Sequence, residues 1–359
     1  MSCPSCLTGG ISTSQPTGTT STIHGLPTYI ASPPSGTTPK AVIVLITDAF
    51  GWDFVNNRVL ADHYAKRGGY LVYVPDFMNG KAMSPTALPL MDNLTTPSPT
   101  YLHAILHKPL WVMHLLLLAI PWKSSCDPIK THPRVLSFLQ SLRASPPPFA
   151  LPVDTGSQSL KIGVAGFCWG GKHAFMLAQP SPEGENNLAD CIFIAHPSYI
   201  TLPSEVQHIT IPTSVIVGDA DAVLKKPQAV EMKRLLEAKG AESKGAESKR
   251  AVNGGKGEGI GGKGEGIGGK GEGIGGQGGG KEIDHEMVIL EGAKHGFAIR
   301  THADDEKEME MAMRAEEQAL RWFERWLVGG GTSSIAATTA ESGADVGVDV
   351  DADAVHVQG

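Results

Sequence analysis

The sequence is short of cysteine, of aromatic side chains and of secretion signals. Its five cysteines are too few for a chain of 359 residues, and odd in number, so they do not form a disulfide framework. Among the first twenty residues only Leu7 and Ile11 are large and apolar, so this stretch lacks the hydrophobic segment of a signal peptide. We therefore expect a protein of the reducing cytoplasm.

Long apolar runs are also missing. The longest lies between Pro109 and Pro121, well below the ~20 residues that span a bilayer, and His114 interrupts it. This run predicts a helix that is buried or that covers an active site, and we expect no membrane partner.

An excess of positive charge is likewise absent, since the formal net charge is −7. The segment 332–359 holds five acidic residues and no basic one, whereas the segment 239–281 holds eight bases against five acids. The remaining chain is acidic, which argues against a nucleic-acid partner.

The segment 239–281 is repetitive. Two copies of Lys-Gly-Ala-Glu-Ser precede a repeat of Gly-Gly-Lys-Gly-Glu-Gly-Ile. Glycine-rich chain buries little apolar surface and loses much entropy on ordering, so we expect a flexible insert. We predict an N-terminal segment at 1–21, one domain at 22–331 that the insert interrupts, and a disordered acidic tail at 332–359.

Short β-branched runs alternate with longer amphipathic stretches along the chain. The runs predict strands at 41–46, 70–74, 162–165, 191–195, 213–217 and 287–290. The stretches predict helices at 56–67, 131–143, 172–179, 227–239 and 304–327. Strands that are apolar on both faces and separated by helices predict an α/β fold with a mainly parallel, doubly wound sheet.

The most specific local motif is Gly166-Phe167-Cys168-Trp169-Gly170-Gly171, which follows an apolar strand and opens a helix. It matches the G-x-S-x-G elbow with cysteine in place of serine. Small residues permit a strained strand-to-helix turn that exposes the nucleophile at the carboxyl edge of the sheet. The helix N-terminus favours a thiolate at Cys168.

Such an elbow requires an acid and a histidine after later strands, and both are present. Gly218-Asp219-Ala220-Asp221 follows one predicted strand, and Lys294-His295-Gly296-Phe297 follows the last. The order Cys, Asp, His is that of α/β-hydrolases. Asp221 and Asp219 compete for the role of the acid, and the spacing favours Asp221. His196, directly after a strand, is the main rival of His295, whereas His103, His107 and His114 are expected to be covering residues.

The motifs Gly-Phe-Cys-Trp-Gly-Gly, Gly-Asp-Ala-Asp and Lys-His-Gly-Phe resemble those of the dienelactone hydrolase family, the carboxymethylenebutenolidase-like α/β-hydrolases. Met-Ser-Cys-Pro-Ser-Cys at the start and Thr-Ile-His-Gly-Leu-Pro-Thr-Tyr at 22–29 are similar to its fungal branch. The resemblance implies a single α/β-hydrolase domain with no metal or organic cofactor. It also implies that Cys168 is the nucleophile, His295 the general base and Asp221 its orienting partner.

Two positions depart from the family pattern. Asp48 stands where the bacterial enzymes carry a glutamate that interacts with the resting thiol, and aspartate is one methylene shorter. Arg300 is a candidate for one of the two arginines that bind the substrate carboxylate. From the elbow geometry, the backbone N–H groups of Trp169 and Ala49 are expected to form the oxyanion hole.

The leading hypothesis is a hydrolase that cleaves a small-molecule lactone or ester through a Cys-His-Asp triad and an acyl-thioester. Two alternatives remain open at this stage: a non-catalytic α/β-hydrolase fold that binds a ligand or a protein partner, and a redox-sensing thiol protein. Cys3 and Cys6 form a C-x-x-C pair, but no second pair of ligands follows at zinc spacing.

Overall fold

The core of the protein is an eight-stranded sheet. The computed structural model describes residues 9–95, 97–147, 160–180, 187–254, 284–302 and 304–329. The strands are β1 (Thr19–Ile23), β2 (Leu26–Ala31), β3 (Val42–Ile46), β4 (Leu71–Pro75), β5 (Ile162–Phe167), β6 (Cys191–Ala195), β7 (Thr213–Gly218) and β8 (His285–Leu290). Their spatial order is β1-β2-β4-β3-β5-β6-β7-β8.

The six strands β3 to β8 run parallel, and β1 and β2 add an antiparallel edge. The helices are α1 (Val55–Gly68), α2 (Ala87–Thr95), α3 (Tyr101–Ser125), α4 (Pro128–Ala144), α5 (Trp169–Leu177), α6 (Ser204–Gln207), α7 (Lys226–Gly254) and α8 (Glu306–Phe323). A π-helical turn, Glu324–Val328, follows α8.

Alternate residues of the central strands enter two separate hydrophobic cores. Ile43 and Leu45 of β3 pack on one face of the sheet with residues of α1 and α8, whereas Val42 and Val44 pack on the other face with residues of α4 and α5. Both faces are therefore covered, as in a doubly wound sheet. The predicted α/β-hydrolase fold, a mainly parallel sheet with helices on both faces, is confirmed.

Two predicted boundaries are wrong. Helix α7 does not end at residue 239 but continues to Gly254, into the expected flexible insert. The sequence 241–250 is rich in alanine, lysine and glutamate, which are strong helix formers, and glycine becomes dominant only afterwards. Residues 255–283 and the acidic tail lie outside the described residues. At the N-terminus, β1 starts at Thr19, so the domain begins before residue 22.

Helix α3 corrects another prediction. The helix passes through Pro109 and Pro121 and is 25 residues long, and it is apolar enough to cross a membrane by length and composition. The sequence predicts a helix that is buried or that covers an active site, and the first of these alternatives is wrong because Ala119 is its one buried residue. Most of its large apolar side chains face solvent.

Candidate active site

Cys168 occupies a strained turn between β5 and α5. Its backbone has φ 51° and ψ −109°, in a region that residues with a Cβ rarely adopt, and its side chain is buried. Glycine is required two residues later, because a Cβ on Gly170 would collide with the carbonyl oxygen of Ile46. The Gly170 N–H donates to the Thr47 carbonyl at 3.0 Å, which ties the elbow to the end of β3.

His295 and Asp221 meet at the carboxyl ends of β8 and β7. The Nδ1 atom of His295 donates to Oδ2 of Asp221 at 2.8 Å, and both side chains are fully buried. The other carboxylate oxygen accepts from the N–H groups of Val223 and Leu224 at 2.7 and 3.1 Å. These bonds fix the carboxylate, which in turn fixes the orientation and tautomer of the imidazole.

Asp219, the competing acid, is directed elsewhere. It accepts from the Gly292 N–H at 2.7 Å and from Lys226 Nζ at 3.0 Å. These two donors hold the pKa of the Asp219 carboxyl below its usual range. Asp219 therefore joins the turn after β7 to the turn after β8, and the structure brings Asp221 rather than Asp219 to His295.

Cys168 and His295 are electrostatically coupled. Burial lowers the pKa of His295, but the charge on Cys168 and the hydrogen bond to Asp221 raise it by more, to about 9. At neutral pH the imidazole is therefore protonated beside the sulfur. Cys168 Sγ also lies 3.8 Å from Ser198 Oγ, a contact that the sequence did not point out. Its one sequence signal was the position of Ser198 just after a central strand.

His196, the alternative candidate for the general base, packs against the His295 ring and does not contact Asp221 in its stead. Their ring centroids are 5.1 Å apart at 70°. Burial, together with the charges of His295 and Arg300, lowers the pKa of His196 well below its usual value, so this ring stays neutral. Among the described residues, neither of its buried ring nitrogens has a hydrogen-bond partner.

Asp48 and Arg300, proposed separately as a thiol-modulating acid and a substrate-binding arginine, form an ion pair with each other. Nη1 of Arg300 lies 2.6 Å from Oδ2 of Asp48, and both side chains are fully buried. The other oxygen of Asp48 accepts from Asn57 Nδ2 at 3.1 Å and from the Phe50 N–H at 3.2 Å. The hydrogen bonds of Asp48 in the described part of the chain thus go to groups other than Cys168.

A cleft of about 860 Å³ reaches His295 and Arg300 from the surface. Its inner wall includes Phe297, and its outer wall carries charges of both signs, such as Lys294 and Glu308. Across the described residues, no cluster of histidine, cysteine and acidic side chains could hold a metal ion. Cys3 and Cys6 lie outside the described residues, and Cys126 and Cys191 are free and buried.

The sequence matches a known protein family over half of its length. The model of the dienelactone hydrolase family matches residues 26–111 and 151–244, half of the chain. The chain belongs to the dienelactone hydrolase family. Its hydrolase relatives include Hydrolase pyvD of Aspergillus violaceofuscus, 22% identical over 90% of this chain and 96% of the relative. Dienlactone hydrolase 1 of Gibberella moniliformis is 28% identical over 60% of this chain and 68% of the relative.

A solved structure, a putative dienelactone hydrolase from Klebsiella pneumoniae, is 16% identical and covers 86% of this chain and 98% of its own, with a TM-score of 0.49. Membership in the dienelactone hydrolase family makes the protein a hydrolase of the lactone and ester class. The site described above lies where α/β-hydrolases carry out chemistry, at the carboxyl ends of the parallel strands.

Proposed function

We propose that this dienelactone hydrolase family member cleaves a lactone or small ester through an acyl-thioester on Cys168. One observation carries the proposal: a strained, buried cysteine at the end of β5 is coupled to a buried His295 that is bonded to Asp221 at 2.8 Å. A thiolate paired with a protonated imidazole is the resting state of an activated cysteine nucleophile.

The first half-reaction is acylation. The thiolate of Cys168 attacks the substrate carbonyl carbon, and the carbonyl oxygen takes up the negative charge. As the tetrahedral intermediate collapses, the carbon–oxygen bond to the leaving group breaks, and His295 gives its proton to the departing alkoxide. In a lactone the leaving alcohol stays attached to the acyl group, and the ring opens.

The developing oxyanion needs donors that are in place before the reaction. We assign this role to the backbone N–H groups of Trp169 and Ala49. Trp169 is the first residue of α5, where an N–H has no partner within its own helix, and Ala49 lies in the loop after β3. The bond from the Gly170 N–H to Thr47 holds this loop beside the elbow.

The second half-reaction is hydrolysis. Neutral His295 takes a proton from a water molecule that attacks the thioester carbonyl, and the carbon–sulfur bond breaks to return the thiolate and release the carboxylic acid. Every step uses side chains and amides of this chain. A thiolate is a better leaving group than an amide nitrogen, so esters and lactones are favoured over amides. We propose that the reaction takes place in the cytoplasm on a small-molecule substrate.

The test is detection of the acyl-enzyme. The full chain is mixed rapidly with p-nitrophenyl acetate, quenched in acid and digested, and the acetylated peptide is identified by mass spectrometry. We expect acetyl on Cys168 and a burst of p-nitrophenol. Cys168→Ala should remove both, and His295→Ala should slow the burst by at least about 100-fold. Cys191→Ala, which changes a buried cysteine elsewhere in β6, serves as the matched control.

The alternatives give other outcomes in the same experiment. A ligand-binding fold without catalysis would show neither burst nor acetylation across a panel of esters, thioesters and lactones. A redox sensor would show oxidation of Cys168 by peroxide with no turnover of any ester. Acetylation at a residue other than Cys168 would overturn the proposed nucleophile.

A further inference from the structure

Helix α3 exposes an unusually large apolar surface. Ten of its large apolar side chains are between 43% and 84% exposed, namely Tyr101, Leu102, Ile105, Leu106, Leu110, Val112, Met113, Leu116, Leu117 and Ile120. Ten large apolar side chains exposed to this extent on one helix form a patch larger than the roughly 300–600 Å² of the largest apolar patch on a typical monomer. A surface of this size calls for a partner.

The ten side chains form one continuous face. At about 100° per residue they cover roughly half of the helix circumference along its length. The opposite side packs on the domain through Leu115, Leu118 and Trp122. His103 and His107, whose rings lie 4.3 Å apart, follow one margin of the apolar face. The sequence holds no acidic residue between Asp92 and Asp127, so the face carries no negative charge.

The helix lies along the surface of the domain and cannot cross a membrane while the domain is folded. Near its N-terminal end, Lys108 Nζ donates to the carbonyl of Leu94 in α2 at 3.1 Å. At its C-terminal end, Cys126 Sγ donates to the carbonyl of Lys81, and the Cys126 carbonyl accepts from the Trp169 indole at 2.7 Å. Because both ends are held by the same domain, a bilayer can meet this helix only side-on.

We propose that α3 is an interfacial helix that lies in the surface of a phospholipid bilayer. The width of the apolar face decides between a bilayer and a second copy of the chain. A helix–helix contact covers a narrow stripe, about 100° wide, and would leave the flanks of this face in water. A helix that sinks about 5–10 Å into the headgroup and acyl boundary buries half of its circumference at once.

The composition of the face also indicates which lipid chemistry it fits. Lys123 is the one lysine of α3 that is exposed, and the helix contains no arginine. Binding should therefore depend on apolar burial rather than on attraction to anionic headgroups. The surface that α3 binds is therefore a zwitterionic one, such as phosphatidylcholine. This proposal concerns α3 alone and does not depend on the chemistry assigned to Cys168.

The test is flotation of the full chain with phosphatidylcholine vesicles. Leu106→Gln/Met113→Gln changes two side chains that are each 56% exposed on α3. The matched control, Val230→Gln/Met313→Gln, changes two side chains that are each 54% exposed on α7 and α8. We expect the wild type and the control to float, the α3 variant to lose at least tenfold in partitioning, and all three to melt at the same temperature.

Four results would overturn the proposal. The wild type could fail to float, or the α3 variant could float as well as the control. Flotation could require anionic lipid and disappear at high salt, which would assign the binding to charge. Finally, sedimentation without lipid could reveal a dimer that Leu106→Gln/Met113→Gln dissociates, in a protein that does not float, which would make a second copy the partner.

Discussion

The buried pair of Asp48 and Arg300 leads to a prediction that separates two roles for the arginine. If Arg300 served to bind a substrate carboxylate, Arg300→Met would raise KM for acidic lactones and leave the fold unchanged. In the structure its guanidinium lies 2.6 Å from Asp48, both side chains have no exposed surface, and it also stacks on the Phe50 ring at 5.2 Å. We therefore expect Arg300→Met to destabilise the protein, because it leaves the charge of Asp48 buried and unpaired.

The size of the effect follows from that burial. Removing one partner of a buried ion pair costs about 3–5 kcal/mol, whereas replacing both is often close to neutral. For a domain of this size, each kcal/mol lowers Tm by about 2 °C or slightly more, so we expect Arg300→Met to lower Tm by about 6–10 °C. Asp48→Asn should have a comparable effect. The double variant should recover most of the loss.

The assay is thermal unfolding followed by circular dichroism, with a double-mutant cycle over the two positions. The matched control is Arg314→Met, the same substitution at an exposed arginine that lines the same cleft, which should stay within about 0.5 kcal/mol of the wild type. An Arg300→Met protein with an unchanged Tm and a KM raised only for carboxylate-bearing lactones would contradict this prediction and would show that Arg300 binds the substrate.

Three further predictions concern the site and the insert. Near pH 7, iodoacetamide should label Cys168 faster than Cys126 and Cys191, because burial raises the pKa of Cys126 to about 11 and that of Cys191 well above its usual value; equal rates by peptide mass spectrometry would contradict the thiolate. For alkyl esters, kcat in a pH–rate profile should fall above about pH 9, because His295 then loses the proton that the leaving group needs. Asp221→Asn should move this fall in kcat to lower pH and should lower kcat by at least about 100-fold, whereas Asp219→Asn should leave kcat nearly unchanged. Deleting residues 255–280 should change kcat/KM less than about threefold, because loop closure costs only ~0.6 kcal/mol per doubling of loop length. A tenfold loss of kcat/KM at constant Tm would show that the insert takes part in the reaction.

Much of the fold could be predicted because its signals are local. The run Val-Ile-Val-Leu-Ile at 42–46 is apolar at every position, which is what a strand with helices on both faces requires. The glycines around Cys168 are tied to a turn that a Cβ would obstruct, so the elbow could be recognised before any tertiary contact was known. The end of α7 does not follow from the glycine content of the whole repeat, because the first part of the repeat is rich in helix-forming residues.

Local sequence patterns are sufficient to predict the alternation of strands and helices, the position of the elbow and the two acids available after β7. Which groups meet depends on the fold: Asp221 contacts His295, Asp48 contacts an arginine 252 residues away, and Ser198 lies close to the thiol. These contacts depend on strand order, which places distant segments at one sheet edge. The exposure of α3 was likewise beyond sequence patterns, because an apolar helix is buried only if another element packs over it, and in the described chain its outer face has none.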